Sequence, residues 1–198
     1  MLAKASVLFW RKGYQGTSMR DIAKAYGCKP ANIYNFFPNK EYLLFEILRD
    51  QMQRLISIIK PLENDQITSP YEQLRFIIRN HLTHTLSYKK SYKLLFDLGL
   101  DNLSPAKRKN IVSLRDEYDR ILQRIIGRGV AQGNFCKIDE KLASYNIASM
   151  VARTIIWYSP TGRLSVAEII DSLVKFALYG LAGGEPIKEG AGKRANKS

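Results

Sequence analysis

Three features of this 198-residue sequence predict an all-α protein. Apolar residues recur three and four positions apart in nearly every segment. Glycine and proline clusters punctuate those segments at helix-length intervals. No run alternates apolar with polar residues around hairpin turns. The composition, 45% hydrophobic and 25% charged, is that of a folded globular chain.

The element order begins with GYQGTSMRDIAKAYG, residues 13–27. Thr17 or Ser18 caps a short helix there, and Asp21 stands in its first turn, where the helix dipole favours an anion. Ile22, Ala23 and Tyr26 face inward, and Gly27 suits the left-handed residue that closes the helix. Pro30 then fits the first position of a second helix, expected over Ala31 to Phe36, with Ile33 and Phe37 turned back to the core. Helix, glycine turn and helix within about twenty residues is the arrangement that lays the second helix into a DNA major groove.

Asn39 starts a longer helix from Lys40 to about Ile59, whose stripe of Leu43, Leu44, Ile47, Leu48, Leu55, Ile56 and Ile59 ends before Pro61. Further helices are expected over 71–87, 91–98, 105–131, 139–158 and 165–182. Residues 183–198 are glycine-rich and charged and read as a flexible, solvated tail, with a basic arm touching DNA as the alternative. The chain therefore divides into a three-helix N-terminal unit over 1–47, with its helix-turn-helix at roughly 18–37, a larger helical bundle over 48–182, and the tail.

Thirty-one Lys and Arg against eighteen Asp and Glu leave a net charge of +13. The excess favours a polyanionic partner without choosing among nucleic acid, anionic membrane and phosphorylated metabolite. It is also spread out, with a surplus of four in residues 1–50 and seven in 51–184. The side chains of the second helix are more specific. Lys29, Asn32, Tyr34, Asn35 and, beyond it, Lys40 offer donors around the Pro30–Ala31 start. An asparagine amide pairs bidentately with adenine, so Asn32 is the expected base reader; Lys29 has the length to reach guanine. Tyr34, Asn35, Lys40, Thr17 and Ser18 are expected on phosphates. The bland alternative is a helical hairpin that only packs, which gives no reason for so donor-rich a face.

The run GYQGTSMRDIAKAYG…NIYNFFPNKEYLLFEIL resembles the DNA-binding domain of the tetracycline-repressor-type (TetR/AcrR) bacterial regulators over roughly residues 1–50. The resemblance implies an all-α homodimer with a variable C-terminal ligand domain, and usually repressor activity. The sequence departs from the family in two places. The chain starts inside the family's first helix, so the basic arm that often precedes it is expected to be missing. Lys29 also replaces the usual capping serine, so base preference should differ from that of relatives.

In the bundle, two faces suit a four-helix dimer interface with their symmetry mates: Leu142, Tyr145, Ala148, Val151, Ala152 and Ile155, and Val166, Ile169, Ile170, Leu173, Phe176 and Ala177. The alternative places both in an intrachain core. Arg153 and Trp157, four apart, can hold a phosphate and stack a purine, with Tyr92, Leu95 and Phe96 lining an apolar pocket. Equally, Arg153 can pair with Asp116 or Asp119 and Trp157 can be a core ring. The stretch RTIIWYSPTGRL, with LLFDLGLDNLSPAKRKNIVSLRDEYDRIL upstream, is similar to family members that sense acyl-CoA thioesters, which implies such an effector.

His81 and His84 are three apart with no third ligand at hand and read as a surface pair. Lys107, Arg108 and Lys109 read as a solvated face, and Cys28 as a small buried residue. No catalytic grouping, resident cofactor or metal is expected, nor a secretory signal or membrane span, and the cytoplasm is the default compartment. A DNA-binding architectural protein without a ligand is the competing reading.

Overall fold

The computed structural model describes residues 2–87 and 100–183. All regular structure among them is helical: α1 Leu2–Lys12, α2 Met19–Tyr26, α3 Pro30–Tyr34, α4 Lys40–Ile59, α5 Pro70–Ser87, α6 Pro105–Ala131, α7 Glu140–Trp157 and α8 Val166–Leu181, with a 3-10 turn Lys60–Glu63 after α4. The helix expected over 91–98, with Tyr92, Leu95 and Phe96, lies outside the described residues, as does the tail from 184.

Local chemistry sets the helix limits. Ser18 and Asp21 cap α2 reciprocally: the Asp21 N–H donates to Ser18 Oγ at 3.1 Å, and the Ser18 N–H donates to the Asp21 carboxylate at 2.9 Å. Gly27 closes α2 at φ 70°, which lets the Cys28 N–H reach back to the Ala23 carbonyl at 3.1 Å. Helix α3 stops at Tyr34, two residues before the expected Phe36. The Phe36 and Phe37 N–H groups both turn onto the Ile33 carbonyl, at 3.0 and 2.9 Å, and Pro38 disfavours helical backbone at the residue before it. Asn39 then caps α4 by accepting the Tyr42 N–H at 2.7 Å.

Two apolar clusters form. One joins Phe9, Ile22, Ile33, Leu44, Ile47 and Leu48 of the first four helices to Leu100, Leu103, Ile111 and Ile155. The other gathers Leu55, Ile59, Leu74, Ile77, Ile121, Ile125, Ile147, Val151, Ile169 and Leu178 from α4 to α8. Helix α4 runs unbroken through both. Helix α6 lies parallel to it and is tied at each end. Near the α4 start, Glu41 accepts the Ser104 N–H at 2.8 Å and pairs with Lys107 at 3.0 Å. Near its finish, Lys60 meets Glu117 at 2.8 Å, and Arg128 donates to the Leu62 and Glu63 carbonyls at 3.0 and 2.9 Å. At the far end of α6, Gly129 leaves room for the Phe135 ring, and its carbonyl accepts the Asn134 and Phe135 N–H groups.

The two histidines are not a surface pair. His81 and His84 are buried on α5, and His81 Nδ1 lies 2.8 Å from the Tyr118 hydroxyl. The faces expected to meet a partner are divided as well. Val151, Ile155, Ile169, Ile170 and Ala177 are buried within the protomer, while Leu142, Tyr145, Ile156, Trp157, Phe176 and Tyr179 remain exposed beside them. Periodicity marks both kinds of position as apolar and cannot separate them.

Candidate nucleic-acid interface and effector site

Helix α3 is held by one fully buried anchor, Ile33, between α2 and α4. Everything else on it faces out: Lys29, Pro30, Ala31, Asn32, Tyr34 and Asn35 are all exposed, Tyr34 by half. Lys29 makes no capping bond, so the start of α3 relies on the Pro30 ring angle and on Ile33. The N–H of Asn32 closes the first turn onto the Lys29 carbonyl at 3.0 Å, leaving its side-chain amide outside. A short helix whose amide, phenol and amine groups all leave the core can present them together to the edges of base pairs.

The flanking residues divide. Ser18 is exposed at the start of α2. Thr17 is buried, and its hydroxyl donates to the Gly13 carbonyl at 2.8 Å, so its side chain holds the α1–α2 turn rather than facing out. Lys40 is half-buried; its ammonium donates to the Tyr14 carbonyl at 2.7 Å and sits 4.4 Å from the centre of the Tyr14 ring. That places one cation between α4 and the turn before α2. Burial, with Glu41 nearby, raises the Tyr14 phenol above its ordinary pKa. On α2, the Lys12 ammonium and the Ser18 hydroxyl hold the Asp21 carboxyl well below the usual carboxylate range. Asp21 therefore stays charged and capping at any pH at which the chain meets DNA.

Phe36, 64% exposed beside Tyr34, is a surface ring not anticipated from the sequence. The signal was present, since Ile33 and Phe37 already claim the inward positions and leave Phe36 nowhere to turn but out.

Of the expected effector residues, Arg153 and Trp157 are both exposed, Trp157 by 56%, near the end of α7. Their neighbour Ile155 is buried in the cluster that holds α3. Asp119, one of the acids considered as partners for Arg153, has Arg115 near it; burial and the charge of Asp116 raise the Asp119 carboxyl to about 6. The bundle interior carries polar groups that periodicity did not single out. Gln51 Oε1 on α4 and Thr85 Oγ1 on α5 are buried without a hydrogen-bond partner among the described residues. Among the described residues no three His, Cys, Asp or Glu side chains are grouped to hold a metal, and no helix is long and apolar enough to cross a membrane.

Residues 1–47 match the family profile described as bacterial regulatory proteins of the tetR family, and residues 68–181 match the tetracyclin repressor-like C-terminal domain. The transcriptional repressor KstR2 of Mycolicibacterium smegmatis is 26% identical over 183 residues, 91% of this chain and 88% of that protein. The crystal structure of the regulator PfmR from Thermus thermophilus superposes with a TM-score of 0.82 at 31% identity, covering 91% of this chain and 97% of PfmR. That of AibR, bound to isovaleryl coenzyme A and operator DNA, superposes with a TM-score of 0.79 at 28% identity, covering 88% and 94%. The chain belongs to the TetR family of bacterial transcriptional regulators.

Proposed function

We propose that the protein is a ligand-responsive transcriptional repressor, a homodimer that reads a palindromic operator through α3 and is released from it by an acyl-coenzyme A thioester. The observation that carries the reading is α3 itself, anchored only through Ile33 with Asn32, Tyr34, Asn35 and Lys29 all outside the core. Asn32 reads a base edge, and Tyr34, Asn35, Ser18 and Lys40 position the phosphates. Thr17 acts through the turn it holds. The exposed Leu142, Tyr145, Ile156, Phe176 and Tyr179 supply an apolar surface on α7 and α8 for the partner protomer. The reading assigns the chain no catalytic reaction, and the cytoplasm is the compartment in which it meets DNA.

The effector assignment rests on the exposed Arg153 and Trp157, whose spacing suits a phosphate and a purine ring, and on the likeness to a regulator crystallised with isovaleryl coenzyme A. The test is a footprint on the DNA flanking the protein's own gene, with acyl-coenzyme A thioesters, the free acids and coenzyme A alone added in turn. A protected palindrome is expected, released by a thioester but not by its free acid, with release blunted in Arg153→Ala. Release by the free acid, or unchanged release in that variant, contradicts the effector assignment.

A further inference from the structure

We propose that the start of α6 is a second DNA-contacting surface, in which Arg108 and Lys109 engage phosphates flanking the half-site read by α3. The inference rests on the DNA-binding reading above and extends it beyond the first fifty residues.

The two longest described helices run parallel, so both begin at the same end of the molecule. The start of α6 is fixed beside the start of α4 by Glu41, which accepts the Ser104 N–H at 2.8 Å and the Lys107 ammonium at 3.0 Å. Lys107 also lies 5.9 Å from the centre of the Tyr42 ring. Lys40, next to Glu41, is a cation of the α3 interface. The α6 cations thus continue that interface around the side of α4. Lys107 is used in holding the two helices together, whereas Arg108 and Lys109 are exposed on the following positions. Among the described residues Arg108 has a single charged contact, 3.6 Å to Asp101, and both side chains are mostly exposed, 56% and 86%, so the pair competes weakly with a phosphate.

The choice of DNA as occupant follows from charge and continuity. The chain carries a net +13, more than the N-terminal unit accounts for, and Arg108 and Lys109 place part of the remainder by the start of α4, the helix that carries Lys40. A duplex presents phosphates on both sides of a major groove, so a protein that inserts α3 brings the strand next to whatever flanks it.

The test uses the full chain and a long operator duplex, measuring affinity against salt for wild type, Arg108→Ala/Lys109→Ala and Arg75→Ala/Arg79→Ala. The second pair removes the same charge from exposed residues of α5 that lie by Leu62, at the opposite end of α4. Each phosphate contact adds about 0.9 to the slope of log affinity against log salt. A dimer lacking two contacts per protomer should therefore show a slope shallower by about 2 to 4, with sequence preference and thioester response unchanged and the α5 variant close to wild type. A slope equal to wild type, or equal losses in both variants, overturns the proposal while leaving operator recognition standing. Loss of the thioester response in place of the slope assigns these cations to the effector and overturns it too. Failure of the wild type to bind any duplex overturns both readings together.

Discussion

Thr85 is fully buried, yet its hydroxyl has no hydrogen-bond partner among the described residues. A helical threonine ordinarily donates to the carbonyl four residues back, as Thr154 does to Met150 at 3.2 Å. Gln51 differs in the same way from Gln73, which is also buried but donates to the Asp65 and Thr68 carbonyls and accepts from Arg128 at 2.7 Å. An unsatisfied buried hydroxyl costs about 1 kcal/mol or more. Thr85→Val should therefore stabilise the protein by about 1 kcal/mol, raising Tm by about 2–4 °C in calorimetry; a lower Tm would show that the hydroxyl is satisfied. His81 gives a pH dependence. Burial, with His84 beside it, holds its pKa down to about 3 against an ordinary 6.5. The unfolded chain takes up a proton below about pH 6.5 that the folded chain refuses. This contribution to stability is thus complete above pH 6.5 and is lost as pH falls towards 3. Urea midpoints of wild type should drop through that window more steeply than those of His81→Leu/Tyr118→Phe; parallel curves would exclude His81 as the cause. Neither feature was legible in the sequence, where the histidines read as a surface pair. Burial depends on what α6 brings against α5, and spacing along one helix does not report it.

The elements were legible where the chain carries its own punctuation. Asn39, Gly27, Ser18 with Asp21, and Pro105 all mark helix limits seen in the fold, because caps and turns are decided within a few residues. Helix α3 came out shorter than its pattern because two adjacent N–H groups share the Ile33 carbonyl. The tie between α4 and α6 was not legible. Lys107 read as solvated, and nothing in one sequence pairs it with Glu41, sixty-six positions earlier. The Ser104 N–H and Lys107 hold the Glu41 carboxyl below its ordinary pKa, so this tie contributes fully above the ordinary carboxylate range and weakens as pH falls. Glu41→Gln should lower the denaturant midpoint at pH 7 and lower it less at pH 3, since screening keeps a tie this exposed small and protonation removes it. An equal cost at both pH values would mean that its charge is not what ties the helices.

At the scale of the whole molecule, the reading of an operator needs two α3 helices at a fixed separation, the task that the proposed function gives to α7 and α8 in a symmetric dimer. Their apolar character was clear from periodicity, but the division between the protomer's interior and its outer surface required the fold: Ile169 and Ile170 face inward, while Phe176, 74% exposed, and Tyr179 face out. A shallow apolar groove of about 380 Å³ runs between the two helices, lined in part by Met150, Phe176 and Gly180. The most direct test of the account is a selection of bound duplexes from a random pool, run in parallel with wild type and Asn32→Ala. Wild type should return a palindrome whose half-sites are spaced by about one helical turn or slightly more, and Asn32→Ala should lose preference at one symmetric position in each half. Random sequences from the wild type, or an unchanged palindrome from the variant, would contradict the assignment of α3 as the reading helix.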